Sequence, residues 1–592
     1  MLKPAEDRLN YSDLLTPPVG FEVEFAVGTT YSLDLEALIG VPLALSLAEE
    51  MDQTFQDNPI YILEGLRKSA DKFAIFCEGG QIKVPQNGNN IFALLENSVF
   101  EVALKNEHSF HPKIWVIKYN DADQNVFYRL LVLTRNLTFD RSWDMAIALE
   151  GKRNNKKTLK NRPLADFLHF LVPYTKNKQK QKQIKKLIAE LDYVHFDPAD
   201  KHIPEFEFCP LGIDGYGIEE TGLFEKYHQL IVISPFLSQA TVKEINKQAY
   251  SGAGKTLITR KSELHKLEPS MLTDFDVFAL KDIIVEGEET ISEDHPEKEA
   301  SLAQHQDIHA KLYARTKYNE HHLYIGSANC SRNAFQGNVE FLLKLKYQKY
   351  GFRISHLLDD LFGEDEKENP FEKIETIPEV NDPESDVTDK LEKAIKKLCR
   401  KKLRANVLND SEPYTICIEM DTLPEGIQFS IGPLLSKRMQ LLKKETIIEN
   451  LSLLELGEFY KIRAEMDGEK VERIIKIPTE GIPEERDQEI FRSIIKDPYT
   501  FLKYVSFLLA DDILLSTLEQ MDKKRLGTGA WNTGMGGYPV VYENMLKAAS
   551  RTPEKLGDVQ NVMNMINKED IVPPEFQSLY ETFVRAVKKV KK

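Results

Sequence analysis

No stretch of this chain approaches the roughly 20 consecutive apolar residues that a membrane-crossing helix needs. Its first residues, MLKPAEDRLNYSDLL, lack the charged-then-apolar order of an export signal. The expectation is a soluble, unexported protein that does not act at a membrane. Cysteine is scarce: Cys77, Cys209, Cys330, Cys399 and Cys417 lie far apart, with no CxxC and no Cys/His group at zinc spacing. Reduced thiols in a cytoplasm fit that pattern, and neither a metal site nor a cofactor is expected. An excess of positive charge is missing too. With 77 Lys and Arg against 93 Asp and Glu the formal net charge is −16, so any contact with nucleic acid has to come from a local patch. Apolar residues are present in ordinary amount, 42% of 592, enough for roughly three or four domains of ~150 residues each.

The informative feature is a repeat. Residues 308–331, IHAKLYARTKYNEHHLYIGSANCS, set His309 and Lys311 two apart at the start of an apolar run. On a strand, successive side chains point to opposite faces, so Ile308, Ala310 and Leu312 can bury while His309, Lys311 and Tyr313 share the other face. Residues 110–138, FHPKIWVIKYNDADQNVFYRLLVLTRNLT, repeat the arrangement with His111 and Lys113. Each copy continues through a loop and a second apolar strand to an asparagine, Asn136 or Asn329. Each ends in an acidic residue beside a further strand: Asp144 in RSWDMAIALE and Glu340 in GNVEFLLKL. One H-x-K is most often a histidine satisfied near a surface strand; two copies with matched asparagines and acids make an internal repeat.

Over roughly residues 20–350 this pattern resembles the phospholipase D superfamily, in which two H-x-K halves meet about a pseudo-twofold axis. The second copy keeps that family's G-S-x-N and N-x-E in GSANCSRNAFQGNVEF, with Ser327 at the serine position. The first has LTRNLT instead, with Thr134 there. Neither copy has the usual aspartate six residues past its lysine, where Tyr119 and Lys317 stand, so the pattern is nearer the H-K-N variant of the tyrosyl-DNA phosphodiesterases. The segments FAVGTTYSLDLEALIGVPLAL and RNLTFDRSWD resemble bacterial phospholipase D-like proteins of defence islands. That resemblance implies antiviral defence beside a helicase or other ATPase partner, because no motif here supplies ATP hydrolysis.

Metal-free cleavage of a phosphodiester needs a nucleophile, an acid for the leaving oxygen, and cations on the phosphoryl oxygens. Two imidazoles supply the first two, with attack by one giving a covalent phosphohistidine. Lys113, Lys311, Asn136 and Asn329 would hold the phosphoryl oxygens, while Asp144 and Glu340 would each orient an imidazole through its second nitrogen. The resemblance implies that the N-terminal His111 attacks and His309 is the acid, with the reverse left open.

For substrate binding, the candidates are Thr134, Ser327, Arg260 at the end of its strand, and a basic stretch. Residues 152–186 hold twelve Lys or Arg, beginning with Lys152, Arg153, Lys156 and Lys157, against one acid, Asp166. A solvated face explains such a run as well as phosphate contacts do. An anionic membrane is a further alternative, less favoured because no aromatic insertion face accompanies the run. SGAGKT at 251–256 is read as a turn, because Ala249 stands where a phosphate loop needs glycine. GTGAWNTGMGGYP at 527–539 is read as a flexible loop from which Trp531 and Tyr538 could stack on bases. Cys330 is expected to pack behind the site, and His321 and His322 to be solvated in a loop.

The expected fold is α/β: two pseudo-symmetric phospholipase D-like mixed-sheet halves, 1–195 with its basic helical segment 152–192 and 196–362. An acidic, Pro-containing linker (363–390), a small β-rich domain (391–484) and a helical C-terminal domain (485–592) follow, an α+β region with a helical end. The expected activity is a metal-independent nuclease, DNA being favoured, in a possible homo-oligomer. The alternatives are a phospholipase or phosphatidyl transferase, and a scaffold that binds nucleic acid without cutting it.

Overall fold

A computed structural model describes residues 11–46, 59–140, 142–281, 307–363, 369–376, 387–424, 426–509, 538–566 and 570–590. Seven strands make the first sheet: β1 (Phe21–Thr30), β2 (Phe73–Glu78), β3 (Val99–Val102), β4 (Ile114–Asp121), β5 (Val126–Leu133), β6 (Ala146–Arg153) and β7 (Val194–Asp197). Their spatial order is β7-β6-β5-β4-β1-β2-β3. Eight make the second: β8 (Glu205–Leu211), β9 (Tyr227–Ile233), β10 (Ala249–Ile258), β11 (Phe275–Leu280), β12 (Leu312–Lys317), β13 (Glu320–Gly326), β14 (Glu340–Tyr347) and β15 (Phe371–Lys373). These run β8-β14-β13-β12-β9-β10-β11-β15. Taken from the β7 and β8 edges, the first seven positions carry the same pairing senses in both sheets: four antiparallel pairs, then two parallel ones.

Strand alternation explains how the sheets meet. In β4, Ile114 and Val116 enter one core while Trp115, Ile117 and Tyr119 enter another. In β12, Leu312 and Ala314 enter the first of these, while Tyr313 faces the outer layer of the second half. The first core therefore draws on both sheets and fuses them, because each strand that leads out of an H-x-K turns one apolar row toward the other half. Backbone bonds stitch the seam. The His111 and Val339 amides donate to Val339 and Ser109 carbonyls at 2.9 and 3.0 Å, and Ser142–Trp143 pairs in parallel with Asp307–Ile308.

The C-terminal residues are built onto the first half. Helix Val387–Cys399 packs against strands Phe459–Met466 and Glu469–Lys476. The sheet holding those strands also takes in Leu33–Asp34 and Ile82–Lys83 from the first half. Arg486 reaches the buried Glu96 at 2.7 Å, and Tyr504 in helix Pro498–Leu509 donates to Glu64 at 2.5 Å.

Three local expectations change. NIFALLENSVF (90–100), whose apolar spacing reads as a helix, forms a 3-10 turn capped by the Asn89 side chain and then strand β3, because Val99 and Phe100 pair with β2 instead of continuing a helix. SGAGKT lies inside strand β10, where Gly252 takes a φ of 75° at a break in register. His321 and His322 belong to β13 and are half-buried, His321 at 2.9 Å from the Thr316 hydroxyl. The glycine-rich residues 527–537 with Trp531, the Tyr538 side chain, and linker residues 364–368 and 377–386 lie outside the described residues. Among the described residues no helix is long and apolar enough to cross a membrane.

Gly326, at the end of β13, shows how tightly the approach to Ser327 is packed: a Cβ there would stand 2.1 Å from the Phe341 carbonyl oxygen. The obstacle is backbone, which cannot swing away. Gly326→Ala is expected to cost more than about 3 kcal/mol and to lower the melting temperature, read by differential scanning fluorimetry.

Candidate active site

Four segments converge at the seam: the two H-x-K turns and the two loops that end β5 and β13. Lys113 and Lys311 are fully buried, each held by the carbonyl of the histidine two residues before it. The carboxylates cross between halves. His111 Nδ1 lies 2.9 Å from Glu340 Oε2 and 3.1 Å from the Ser327 carbonyl. His309 Nδ1 lies 3.3 Å from Asp144 Oδ1 and 2.9 Å from the Thr134 carbonyl. A carbonyl can only accept, so Nδ1 carries the proton in both neutral rings and each Nε2 keeps its lone pair.

The hydroxyls repeat the correspondence. Ser327 Oγ donates to Glu340 Oε2 at 2.5 Å and accepts from the Phe341 amide. Thr134 Oγ1 donates to Asp144 Oδ1 at 3.1 Å and accepts from the Met145 amide. Thr134 thus does for Asp144 what Ser327 does for Glu340, so both position the carboxylate from behind. Asn136 and Asn329 stand at the same loops, each with a buried Oδ1 lacking a hydrogen-bond partner.

The electrostatics follow from burial. Desolvation, with Lys113 and Lys311 nearby, holds His111 well below its ordinary pKa. His309 is pushed down to about 3 by burial and by Lys311, against the pull of Asp144. Lys113 falls to about 7 through burial, with Glu340 and Asp144 opposing, and Lys311 falls well below 10.5 through burial and the Lys113 charge. Burial lifts Glu340 to about 7, while Lys113 and its hydrogen bonds pull back. Burial also raises Asp144, but its contact with His309 and the nearby cations outweigh that and leave it below 3.8. Two buried lysines, one of which lowers the other, stand beside two uncharged imidazoles, so burial disfavours the charge they carry. An anion between them would relieve the repulsion.

The remaining sequence candidates fall elsewhere. Arg260 is engaged beside the site: it grips the Ile308 carbonyl at 3.0 and 3.1 Å and Asp307 at 2.8 Å, stacks on Phe236, and its charge also lowers Lys311. Its counterpart in the first half is Glu78, at the same end of β2, which accepts from the Phe110 amide at 2.6 Å. Each thus fixes the residue before a catalytic candidate. Lys152, Arg153, Lys156 and Lys157 sit at the far end of β6, roughly 30 Å from Asp144 at about 3.3 Å per strand residue, and Lys157 pairs with Asp192 at 2.8 Å. The structure therefore does not bring that patch to the site. Cys330 is buried behind it, its thiol pushed up to about 12 by burial.

Several contributors escaped the sequence. Ser142 donates to Asp144, and Asn338 Nδ2 donates to Glu340 at 3.3 Å, each two residues before its acid. Tyr31 sets its ring edge-on to His111, centroids 5.0 Å apart. Lys396, from helix Val387–Cys399, reaches Glu78 at 2.9 Å and Ser109 Oγ at 2.8 Å over the Tyr31 ring. The N-x-E spacing signalled Asn338; nothing local signalled Tyr31, Glu78 or Lys396.

The fold is thus mixed α/β with two like-ordered sheets, and the candidate site is a buried cluster of histidines, lysines and carboxylates between them. No protein-family model and no curated protein matches the chain. Solved structures similar to it include the yeast tyrosyl-DNA phosphodiesterase, 13% identical with a TM-score of 0.35 over 59% of this chain and 88% of that one. Polyphosphate kinase from Porphyromonas gingivalis is 12% identical with a TM-score of 0.31 over 57% of this chain and 42% of that one. At that degree of superposition, a reaction has to be argued from the site itself.

Orthovanadate is expected to raise the melting temperature, by about 2.7 kcal/mol of added stability at 100 times its Kd, and Lys113→Met to abolish the rise. Lys113 is charged below about 7 and loses its charge above it, so the vanadate-induced rise should shrink between pH 6 and pH 8.5. A shift that grows with pH over that range would contradict the cationic pocket.

Proposed function

We propose that the two sheets are pseudo-twofold halves of a phospholipase D-type phosphodiesterase that cleaves nucleic acid through a phosphohistidine, without a metal. The observation that carries this is the crossed pairing, His111 with Glu340 and His309 with Asp144, around two buried lysines. In this reading His111 Nε2 attacks phosphorus, the bond to the leaving oxygen breaks, and His309 delivers a proton to that oxygen. Lys113, Lys311, Asn136 and Asn329 hold the non-bridging oxygens as charge moves onto them. Water then gives a proton back to His309, attacks phosphorus, and the phosphorus–nitrogen bond breaks to restore neutral His111.

The two carboxylates support that division of labour. Asp144 stays ionised and favours an imidazolium at His309, which an acid must become once substrate phosphate brings negative charge into the pocket. Glu340, held up to about 7, presses less for a proton on His111, which suits a nucleophile that must keep its lone pair. A nucleic-acid substrate is favoured over a phospholipid by the sequence resemblance to the H-K-N variant and by a site made of polar loops at strand ends.

The test is cleavage of labelled single- and double-stranded DNA and RNA in excess EDTA. Wild type is expected to cut at least one of them, and His111→Ala and His309→Ala to lose about 10²–10⁴-fold. After quenching in alkaline detergent, which preserves a phosphorus–nitrogen bond, His309→Ala should retain labelled nucleotide on the protein while His111→Ala should not. Release of a lipid headgroup with no nucleic-acid cutting would replace the substrate class, and no turnover of either would sink the assignment. Because His309 must act as an imidazolium and sits at about 3 in the free enzyme, the wild-type kcat/KM should rise as the pH falls from 8 to 5, where His111 is still neutral, and drop more steeply above about 7 as Lys113 discharges.

A further inference from the structure

Lys396 belongs to a longer basic run. Residues 390–404, KLEKAIKKLCRKKLR, hold eight Lys or Arg against one acid, Glu392. Two of the eight are accounted for inside the fold, Lys396 by Glu78 and Lys397 by Glu107 at 3.1 Å, and cations in a last helical turn also suit the helix dipole. That explanation stops at Cys399, where the helix ends. Lys401, Lys402 and Arg404 lie beyond it, exposed, and make no ion pair among the described residues.

They line a groove of about 560 Å3 between the edge of the first sheet and the C-terminal strands. Phe100, Glu101 and Ala103 form one wall, with Tyr174 and Lys176, and residues 401–406 the other. Lys476 on its floor is engaged by Glu458 at 3.1 Å and by the Val99 carbonyl at 3.0 Å. One helix links the groove to the site: Cys399 lines the groove, and Lys396, one helical turn earlier, touches Ser109 and the Tyr31 ring that abuts His111.

We propose that Lys401, Lys402 and Arg404, with Lys176 opposite, form the track along which a nucleic-acid strand lies as it leaves the His111 side of the pocket. This deepens the phosphodiesterase reading and rests on it for the position of the scissile phosphate. A concave cleft with unpaired cations on its rim and an aromatic face in Tyr174 fits a strand of phosphates and bases; a flat lipid surface would need an exposed convex apolar face. The stretch at 152–157 competes for the role in sequence but lies at the wrong end of β6.

The experiment measures binding apart from cleavage. Full-length His111→Ala protein is titrated with fluorescein-labelled single- and double-stranded oligonucleotides at several salt concentrations. The same is done after adding Lys401→Gln, Lys402→Gln and Arg404→Gln together, and, as a control, Lys243→Gln, Lys247→Gln and Lys266→Gln together. The groove variant is expected to bind at least tenfold more weakly, with a log–log salt slope shallower by about 2–3, at an unchanged melting temperature. The control should stay within twofold of the parent. Equal affinity of groove variant and parent, or a loss seen instead on replacing Lys152, Arg153 and Lys156, would overturn the proposal. So would groove-dependent binding to phosphatidylserine vesicles with none to oligonucleotides. Groove-dependent oligonucleotide binding by a wild type that cuts nothing would leave the track standing and remove the catalytic reading alone.

Discussion

The rest of the structure depends on keeping two ammonium groups buried a few ångströms from two imidazoles. Burying one unpaired lysine is costly, and here Lys113 and Lys311 also repel each other. The fold keeps them there by placing a carboxylate from each half against the histidine of the other, and by giving each lysine its own histidine's carbonyl. Around that cluster everything is rigid: a serine or threonine behind each acid, a backbone bond across the seam, and a core built from both sheets. What is not fully satisfied is the charge on the two lysines, which burial and the Lys113–Lys311 repulsion disfavour.

The two halves are alike in topology and in the inner ring of the site, and they diverge just outside it. Glu78 and Arg260 occupy the same strand end and grip the same backbone position, one by accepting from the Phe110 amide, the other by donating to the Ile308 carbonyl. The consequence is a site with an acidic support on one side and a basic support on the other. The acidic side recruits Lys396 from the C-terminal helix, whereas the basic side is answered locally by Asp307. A pocket that is twofold in its chemistry thus has distinct approaches, as two histidines with different tasks require.

The inner ring was legible because strand periodicity ties residue type to direction. His–x–Lys on an apolar strand leaves the charged pair on one face, and a second copy announces its partner. Asn136, Asn329, Asp144 and Glu340 followed from matching the copies; contacts with the two histidines bring the acids together, and the asparagines stand on the adjoining loops. What stayed illegible is set by tertiary packing: Tyr31 and Glu78 are ordinary strand-end residues until β1 and β2 are placed beside β4. The twelve cations of 152–186 drew attention by number, yet Lys180 is buried against the Ala70 and Phe73 carbonyls and Lys186 is held by Glu24. The shorter run at 390–404 was passed over because nothing in its spacing says that its helix ends beside the first H-x-K. NIFALLENSVF shows the same limit on a smaller scale, a helical pattern overruled by a neighbouring strand's edge.

The sheet that joins Leu33–Asp34 and Ile82–Lys83 to the C-terminal strands has a further bearing. A ribosome delivers these two segments, which pair with each other, several hundred residues before the strand that adds at Ile82. Until residues 459–476 emerge, the outer side of Ile82–Lys83 keeps open backbone donors and acceptors, and the helix that carries Lys396 lacks the strands it packs against. The wall beside His111 is therefore completed late in synthesis, after the last strand of that shared sheet is in place, and a chain cut short before it would carry both H-x-K copies without that wall.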